Sequence, residues 1–259
     1  MVIYSVPALQ TNYFWLVQPR PEQSQAYIFD PGDAEPVMRA LKEHDLTLAG
    51  IIITHHHWDH TDGIAPLLKR FSVPVYGPRS ERIPTVTHFL GDGDQLDLRH
   101  WSLEVMTTAG HTLDHLAYLY RDARGKHHLF SGDTIFGAGC GRRFEGSPEA
   151  FYQSLQKLAA LPPGTLIYAS HEYTVDNIRF ALAVEPGNAA LQARFVRTQQ
   201  LRAEGHPTLP TRLEWELATN PFLRCRQPEV RRAAEKQAGR SLSSEVEVFD
   251  VLRTWKDDF

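Results

Sequence analysis

The segment Ile51-Ile52-Ile53-Thr54-His55-His56-His57-Trp58-Asp59-His60 limits this chain more than any other. A β-branched apolar run ends abruptly, and four of the chain's 13 histidines and one aspartate follow within six residues. Ile-Ile-Ile reads as a buried strand. The ligand atoms then begin at the strand's carboxyl end, where open α/β sheets bind ligands. In extended backbone, residues i and i+2 share a side. His55 and His57 can therefore converge on one metal ion, with His56 pointing the other way. Once the chain turns, Asp59 and His60 can face a second ion. One ion rarely takes four ligands from so short a stretch, so the spacing predicts two. Imidazole and carboxylate donors suit Zn, and also Fe or Mn.

The rest of the chain is consistent with a soluble α/β enzyme. Strands are predicted at 2–6, 13–17, 26–29, 49–53, 73–76, 103–106, 116–120, 128–131 and 165–169, each short, aromatic or β-branched, and bounded by turn residues. Helices are predicted at 34–44, 62–70 and 148–160, the last with Ser147 as N-cap and Pro148 at its first position. After about residue 172 the pattern is all helix: 174–184, 188–204, 228–238 and 244–257, with Asn188 and Ser244 as caps and Gly205 and Gly239 as stops. The expected organisation is a catalytic domain over 1–172 and a small helical domain over 173–259.

Several function classes are excluded. GxGxxG after a strand, GxxxxGK[ST], GxSxG and HExxH are all absent, which removes a Rossmann site, a P-loop, a hydrolase elbow and a zincin. A net charge of −4 leaves no footprint for nucleic acid or anionic lipid. No apolar run is long enough to span a membrane. The two cysteines, Cys140 and Cys225, are far apart, and the start MVIYSVPALQ lacks a basic and an apolar leader region. The expectation is a cytoplasmic monomer that acts on a small molecule.

The order HxHxDH resembles the metallo-β-lactamase signature, and three further segments extend the resemblance: Thr108-Ala109-Gly110-His111-Thr112-Leu113-Asp114-His115, Ser131-Gly132-Asp133 and Ala169-Ser170-His171. The fold this implies is an αβ/βα sandwich of two mixed sheets flanked by helices, here followed by the helical domain. The ligand set it implies is His55, His57 and His111 for one ion, Asp59, His60 and His171 for the other, and Asp133 bridging both. His115 has no ligand slot and is expected to orient a ligand or to pack. Asp30, at another strand exit, is expected to do the same or to cap a turn.

Within that superfamily the chain most resembles hydroxyacylglutathione hydrolase (glyoxalase II), over nearly its whole length. The matching segments are Gly132 to Gly146 (GDTIFGAGCGRRFEG), His171-Glu172-Tyr173-Thr174, Glu185-Pro186-Gly187-Asn188, Asn220-Pro221-Phe222-Leu223-Arg224, and the ending Arg253-Thr254-Trp255-Lys256-Asp257-Asp258-Phe259. The resemblance implies hydrolysis of S-D-lactoylglutathione to D-lactate and glutathione, the second step of methylglyoxal detoxification. It implies a hydroxide bridging the two ions as nucleophile, with Asp59 orienting it. Arg142 and Tyr173 occupy positions that contact glutathione. Arg253 and Lys256, i and i+3 on one helix face, are expected to hold its glycine carboxylate.

Three positions depart from the family pattern. Phe144 stands where several relatives carry Tyr. Arg143 is more polar than usual, and Thr11 replaces an acidic residue and is read as structural. Other readings on the same fold are a lactonase or β-lactamase, a phosphodiesterase or nuclease, and a single-iron persulfide dioxygenase. The full second ligand set, Asp59, His60 and His171, favours the hydrolase over the last of these.

Overall fold

The computed structural model describes residues 1–99 and 101–259. Two six-stranded sheets lie face to face. The first contains β1 (Val2–Ala8), β2 (Asn12–Gln18), β3 (Gln25–Phe29), β4 (Thr47–Ile52), β5 (Val75–Pro78) and β6 (His88–Leu90), in that order. The second contains β7 (Gln95–Leu98), β8 (Trp101–Thr107), β9 (Leu116–Arg121), β10 (His127–Gly132), β13 (Leu166–Ala169) and β14 (Thr211–Arg212); β11 (Ile135–Phe136) and β12 (Gly139–Cys140) form a small ribbon beside it. Both large sheets are mixed. β1–β2–β3 run antiparallel and β3–β4–β5–β6 parallel; β7 to β10 alternate and β13 runs parallel to β10.

Aromatic side chains fill the space between the sheets. Trp15, Tyr27, Phe29, Trp101, Tyr118, Phe130 and Tyr168 share one core, with Phe29 stacked on Phe130 at 4.0 Å. The outer face of the first sheet is covered by α1 (Ala34–Glu43) and α3 (Ile64–Leu68); the short α2 (Trp58–Thr61) precedes α3 and carries Asp59 and His60. The outer face of the second sheet is covered by α4 (Pro148–Ala159) and by α5 (Thr174–Val184), α7 (Leu213–Thr219), α8 (Pro228–Ala238) and α9 (Glu245–Asp257), while α6 (Ala189–Ala203) packs on α5. This is the two-sheet, helix-flanked sandwich that the family resemblance implies. No helix among the described residues is long and apolar enough to cross a membrane.

The local signals hold at the helix ends. Ser147, Asn188 and Ser244 each accept a bond from a first-turn amide, and Gly239 closes α8 at φ +66°. The expected 62–70 helix is shorter, only α3 at Ile64–Leu68, and starts after Gly63, whose amide donates to the Pro31 carbonyl. A Cβ at Gly63 would lie 2.4 Å from the Pro31 oxygen. The elements not foreseen are β6, β7, β11, β12, β14, α2, α7 and a 3-10 turn at Pro221–Leu223, all of two to seven residues and too short for a periodic signal. β14 also shows that the region after residue 172 is not wholly helical: Thr211 and Arg212 pair with Ile167 and Leu166 and add a strand to the second sheet. The same region shares its core with α4, through Phe151, Leu155 and Leu158 against Phe222, Phe249 and Leu252.

Candidate metal centre

Five strands end at one edge of the sandwich, and each delivers chemistry there. β3 and β4 are parallel and lead into Asp30 and Thr54 to His60. β8, β10 and β13 point the same way, since β8 and β10 both oppose β9 and β10 parallels β13. They lead into His111, Asp133 and His171. Backbone bonds stitch the two sheets together at this edge: Leu116 N to Thr54 O at 2.8 Å and Tyr13 N to Ser170 O at 2.8 Å.

The structure brings all seven predicted ligands into one cluster. His55 Nε2 and His111 Nε2 each lie 3.0 Å from His57 Nδ1. Asp59 Oδ2 lies 3.4 Å from both His60 Nε2 and His171 Nε2. Between these triads stands Asp133, whose Oδ2 is 3.4 Å from His111 Nε2 and 3.4 Å from His171 Nε2. His55, His60 and Asp133 form a third close group, so the two triads adjoin.

Imidazole nitrogens 3.0 Å apart with no hydrogen to share repel one another unless a cation lies between them. A tetrahedral ion with bonds of about 2.0–2.1 Å separates its ligand atoms by roughly 3.3 Å, the spacing seen here. Both nitrogens of fully buried His60, and Oδ1 of Asp133, lack a hydrogen-bond partner. Such orphaned groups are costly in a protein interior. The residues present therefore fit two metal ions.

The protein's own charges divide the cluster in two. Burial, then the neighbouring His60 and His115, push His55 well below the usual histidine range. Burial and His111 take His57 down to about 4. These rings are neutral and offer lone pairs. In the second triad burial opposes charge but is outweighed. Asp133 and Asp30 raise His60, and Asp133 raises His171 to about 9. Bonds from His171, His60 and Asn12 hold the Asp59 carboxyl far below its ordinary value against burial. A cation entering this half displaces protons, so its binding there is coupled to proton release.

Several of the rings have a polar group behind them. His111 Nδ1 donates to the Arg142 carbonyl at 2.8 Å. His55 Nδ1 meets Thr54 Oγ1 at 2.9 Å, and that hydroxyl donates to Asp30 Oδ2 at 2.8 Å. His60 Nδ1 lies 3.2 Å from the same carboxylate, out of line for a hydrogen bond. Asp30 thus stands behind two of the clustered histidines, the first of the two roles expected for it from the sequence. His115 accepts from Asp133 N at 3.0 Å and meets Thr108 Oγ1 at 2.9 Å, fixing the loop that carries Asp133. His56 turns away, to Asp114 at 2.9 Å and Arg82 at 2.6 Å. Gly132, at φ +49°, has no room for a side chain: a Cβ would sit 2.6 Å from Thr54 Oγ1 and 2.8 Å from His115 Nε2.

The cleft over the cluster has a volume of about 410 Å³, and its walls include Trp58, Phe136, Arg142, Phe144 and Tyr173. Tyr173 stacks on His171 with centroids 4.8 Å apart. Arg142 is half exposed at the rim, where it is bonded to Asp257 at 3.1 Å. Arg253 is placed otherwise than the sequence suggested. It is buried, and its guanidinium donates to the carbonyls of Cys140 (2.9 Å) and Gly141 (3.3 Å) and to Asp257 (3.0 Å). These donors face inward, so Arg253 and Lys256 are not two free cations on one face. Lys256 is not a wall of the cleft; its Nζ lies 5.6 Å from the centroids of both Phe180 and Phe259.

Sequence reasoning missed how the Gly137–Gly141 loop is held. Asn177, Glu216, Asn220 and Arg253 bind its backbone at Gly137 O, Ala138 N, Gly139 O and Cys140 O. All four come from the region after residue 172. Residues 6–171 match the model of the metallo-beta-lactamase superfamily, and residues 172–259 match that of the hydroxyacylglutathione hydrolase C-terminus. A hydroxyacylglutathione hydrolase from Hahella chejuensis is 49% identical over 99% of both chains. One from Nitrosomonas europaea is 46% identical over 99% of this chain and 96% of its own.

Among solved structures, ETHE1 from Myxococcus xanthus superposes with a TM-score of 0.68 at 23% identity, over 98% of this chain and 91% of that one, which speaks to fold alone. TTHA1623, solved in a di-iron-bound form, gives a TM-score of 0.55 at 25% identity over 66% of this chain and 92% of its own. A shared fold does not by itself produce near-complete alignment at almost half identity, and the chain belongs to the hydroxyacylglutathione hydrolase family of metal-binding hydrolases.

Proposed function

We propose that the protein hydrolyses S-D-lactoylglutathione to D-lactate and glutathione, as the second step of methylglyoxal detoxification, at a centre of two divalent ions, zinc by the chemistry of its donors. The observation that carries the reading is the position of Asp133 Oδ2, equidistant at 3.4 Å from a nitrogen of each triad. His55, His57 and His111 would hold one ion, Asp59, His60 and His171 the other, and Asp133 both. When bound, the ions supply a water ionised near neutral pH and Lewis-acid polarisation of the thioester carbonyl.

The chain's own residues do the rest. Asp59 is ionised and reaches the cleft, so its carboxylate accepts a hydrogen from the attacking water and sets its direction. Leaving thiolates have a pKa of about 8.5, so departure needs no strong acid. The composition of the cleft agrees: apart from the clustered ligands, Tyr173 is the one titratable acid in its walls among the described residues, and burial raises its pKa. Phe136, Phe144 and Trp58 shed water from the reacting carbonyl. Arg142 and Tyr173 at the rim, with Lys256 beyond it, would bind the glutathione backbone, and Arg253 would hold the loop that presents Arg142.

Loss of thioester absorbance with S-D-lactoylglutathione tests the reading. Protein purified with its metals should hydrolyse this substrate, and Lys256→Ala should raise KM more than it lowers kcat, because it acts on a remote part of the substrate. No hydrolysis with two metals bound would discard the substrate. A fall in kcat at constant KM would discard the role of Lys256.

A further inference from the structure

The two ions of the proposed centre are not held alike, and the difference lies in the tight turn between β1 and β2. That turn meets the cluster through two side chains. Thr11 Oγ1 lies 3.0 Å from His171 Nδ1. Asn12 Nδ2 donates to Asp59 Oδ2 at 3.1 Å, with a longer 3.4 Å approach to the Asp59 carbonyl. His171 and Asp59 are two of the three ligands of the second triad. The turn is also joined to the strand exit by its backbone: Glu172 N donates to Thr11 O at 2.9 Å, and Asn12 forms an isolated bridge with His171.

The chemistry of these partners differs from that behind the other triad. Nε2 of His171 faces Asp59 and Asp133 and is the ligand atom; with its lone pair committed to the ion, Nδ1 carries the hydrogen and donates it to Thr11. Threonine is a neutral acceptor. Behind His55, by contrast, the Thr54 hydroxyl is itself bonded to the buried Asp30 carboxylate. A partner of this kind fixes ring orientation and raises ligand basicity, and its loss typically costs 10- to 100-fold in metal affinity. Asn12 is buried and its amide is locked to Asp59, so it sets which carboxylate oxygen turns to the cluster. Thr11 is only partly buried, on a turn whose neighbouring residues Leu9 and Gln10 are exposed.

We propose that Thr11 and Asn12 are positioning residues for the second ion alone, so that the β1–β2 turn, 160 residues from His171 in sequence, sets how tightly that ion is held. Thr11, which the sequence suggests is merely structural, thereby gains a role in the site. The inference rests on the two-ion reading above.

Bound zinc, counted by mass spectrometry after equilibration against rising concentrations of a chelator, tests it without any reference to activity. Wild-type protein should hold two ions. Thr11→Val, which removes only the hydroxyl, should lose one ion at a chelator concentration lowered at least 10-fold and keep the other at the wild-type concentration. Thr11→Ser should restore the wild-type profile, and Asn12→Ala should behave like Thr11→Val. In a His57→Ala background, where the second triad is the intact one, adding Thr11→Val should strip the remaining ion. A wild-type profile in Thr11→Val, or parallel loss of both ions, overturns the inference and leaves the two-ion centre standing. A wild-type chain that never binds more than one ion overturns the two-ion reading itself, and this inference with it.

Discussion

Glu216 offers the sharpest test of how the helical region supports the metal centre. Its side chain is completely buried, and its carboxylate takes four donors: Arg194 Nη2, Thr211 Oγ1 at 2.7 Å, Ala138 N at 2.7 Å and Asn220 Nδ2 at 3.2 Å. Glu216→Ala removes both acceptor oxygens, and with them four bonds, at once. Arg194, whose side chain is only 10% exposed, keeps two threonine hydroxyls but no counter-charge. Breaking a buried pair this way costs about 3–5 kcal/mol. The stranded Ala138 amide adds about 1–3 kcal/mol. The two losses share a cavity and do not simply sum, so about 4–6 kcal/mol is expected. At roughly 2–4 °C per kcal/mol for a chain of this size, Tm should fall by about 10–20 °C.

The functional consequence follows the loop. Ala138 sits at φ +55°, and three residues later Gly141 leads into Arg142, whose carbonyl holds His111 Nδ1. Freeing Ala138 loosens that tether, so bound metal should fall along with Tm. The control is Arg194→Met combined with Glu216→Leu, which removes both charges and should recover at least half of the lost Tm. Calorimetry and metal analysis on the three proteins decide the matter. A Tm within 3 °C of wild type for Glu216→Ala, or a double variant no better than the single, would refute the reasoning.

Two further outcomes are expected. Asp133→Ala should abolish tight binding of both ions, since its carboxylate faces both triads; near-normal metal content in that variant would sink the dinuclear assignment. The thiols of Cys140 and Cys225 are free and buried, burial raises Cys140 to about 11, and Cys225 is raised further. Both stay protonated at pH 8, so a thiol-titrating disulfide reagent should find none in the native protein and two in guanidinium. Rapid modification of the native chain would contradict the packing.

Much of the molecule was legible in the letters because its signals are short-range. Ser147, Asn188 and Ser244 announce helix starts through bonds to amides three residues on. The apolar run before Thr54 announces a buried strand, and the order of His55, His57, Asp59 and His60 announces ligands at its exit. The edge to which β4, β8, β10 and β13 would deliver them was implied by the same pattern of strand ends.

What the letters could not supply is whichever group needs the finished sandwich to meet its partner. Arg253 and Lys256 look like a matched pair on a helix face, yet Arg253 is drawn inward to Cys140, 113 residues away. Glu216 reads as one more helix glutamate until Ala138, 78 residues earlier, presents an unpaired amide to it. Thr11 reads as a turn residue until His171 arrives beside it. Periodicity and capping act within a few residues and so are written locally. By contrast, hydrogen bonds across 78 to 160 residues exist only once both sheets and the C-terminal helices have packed, and packing decides which polar side chains lose water and must find a partner.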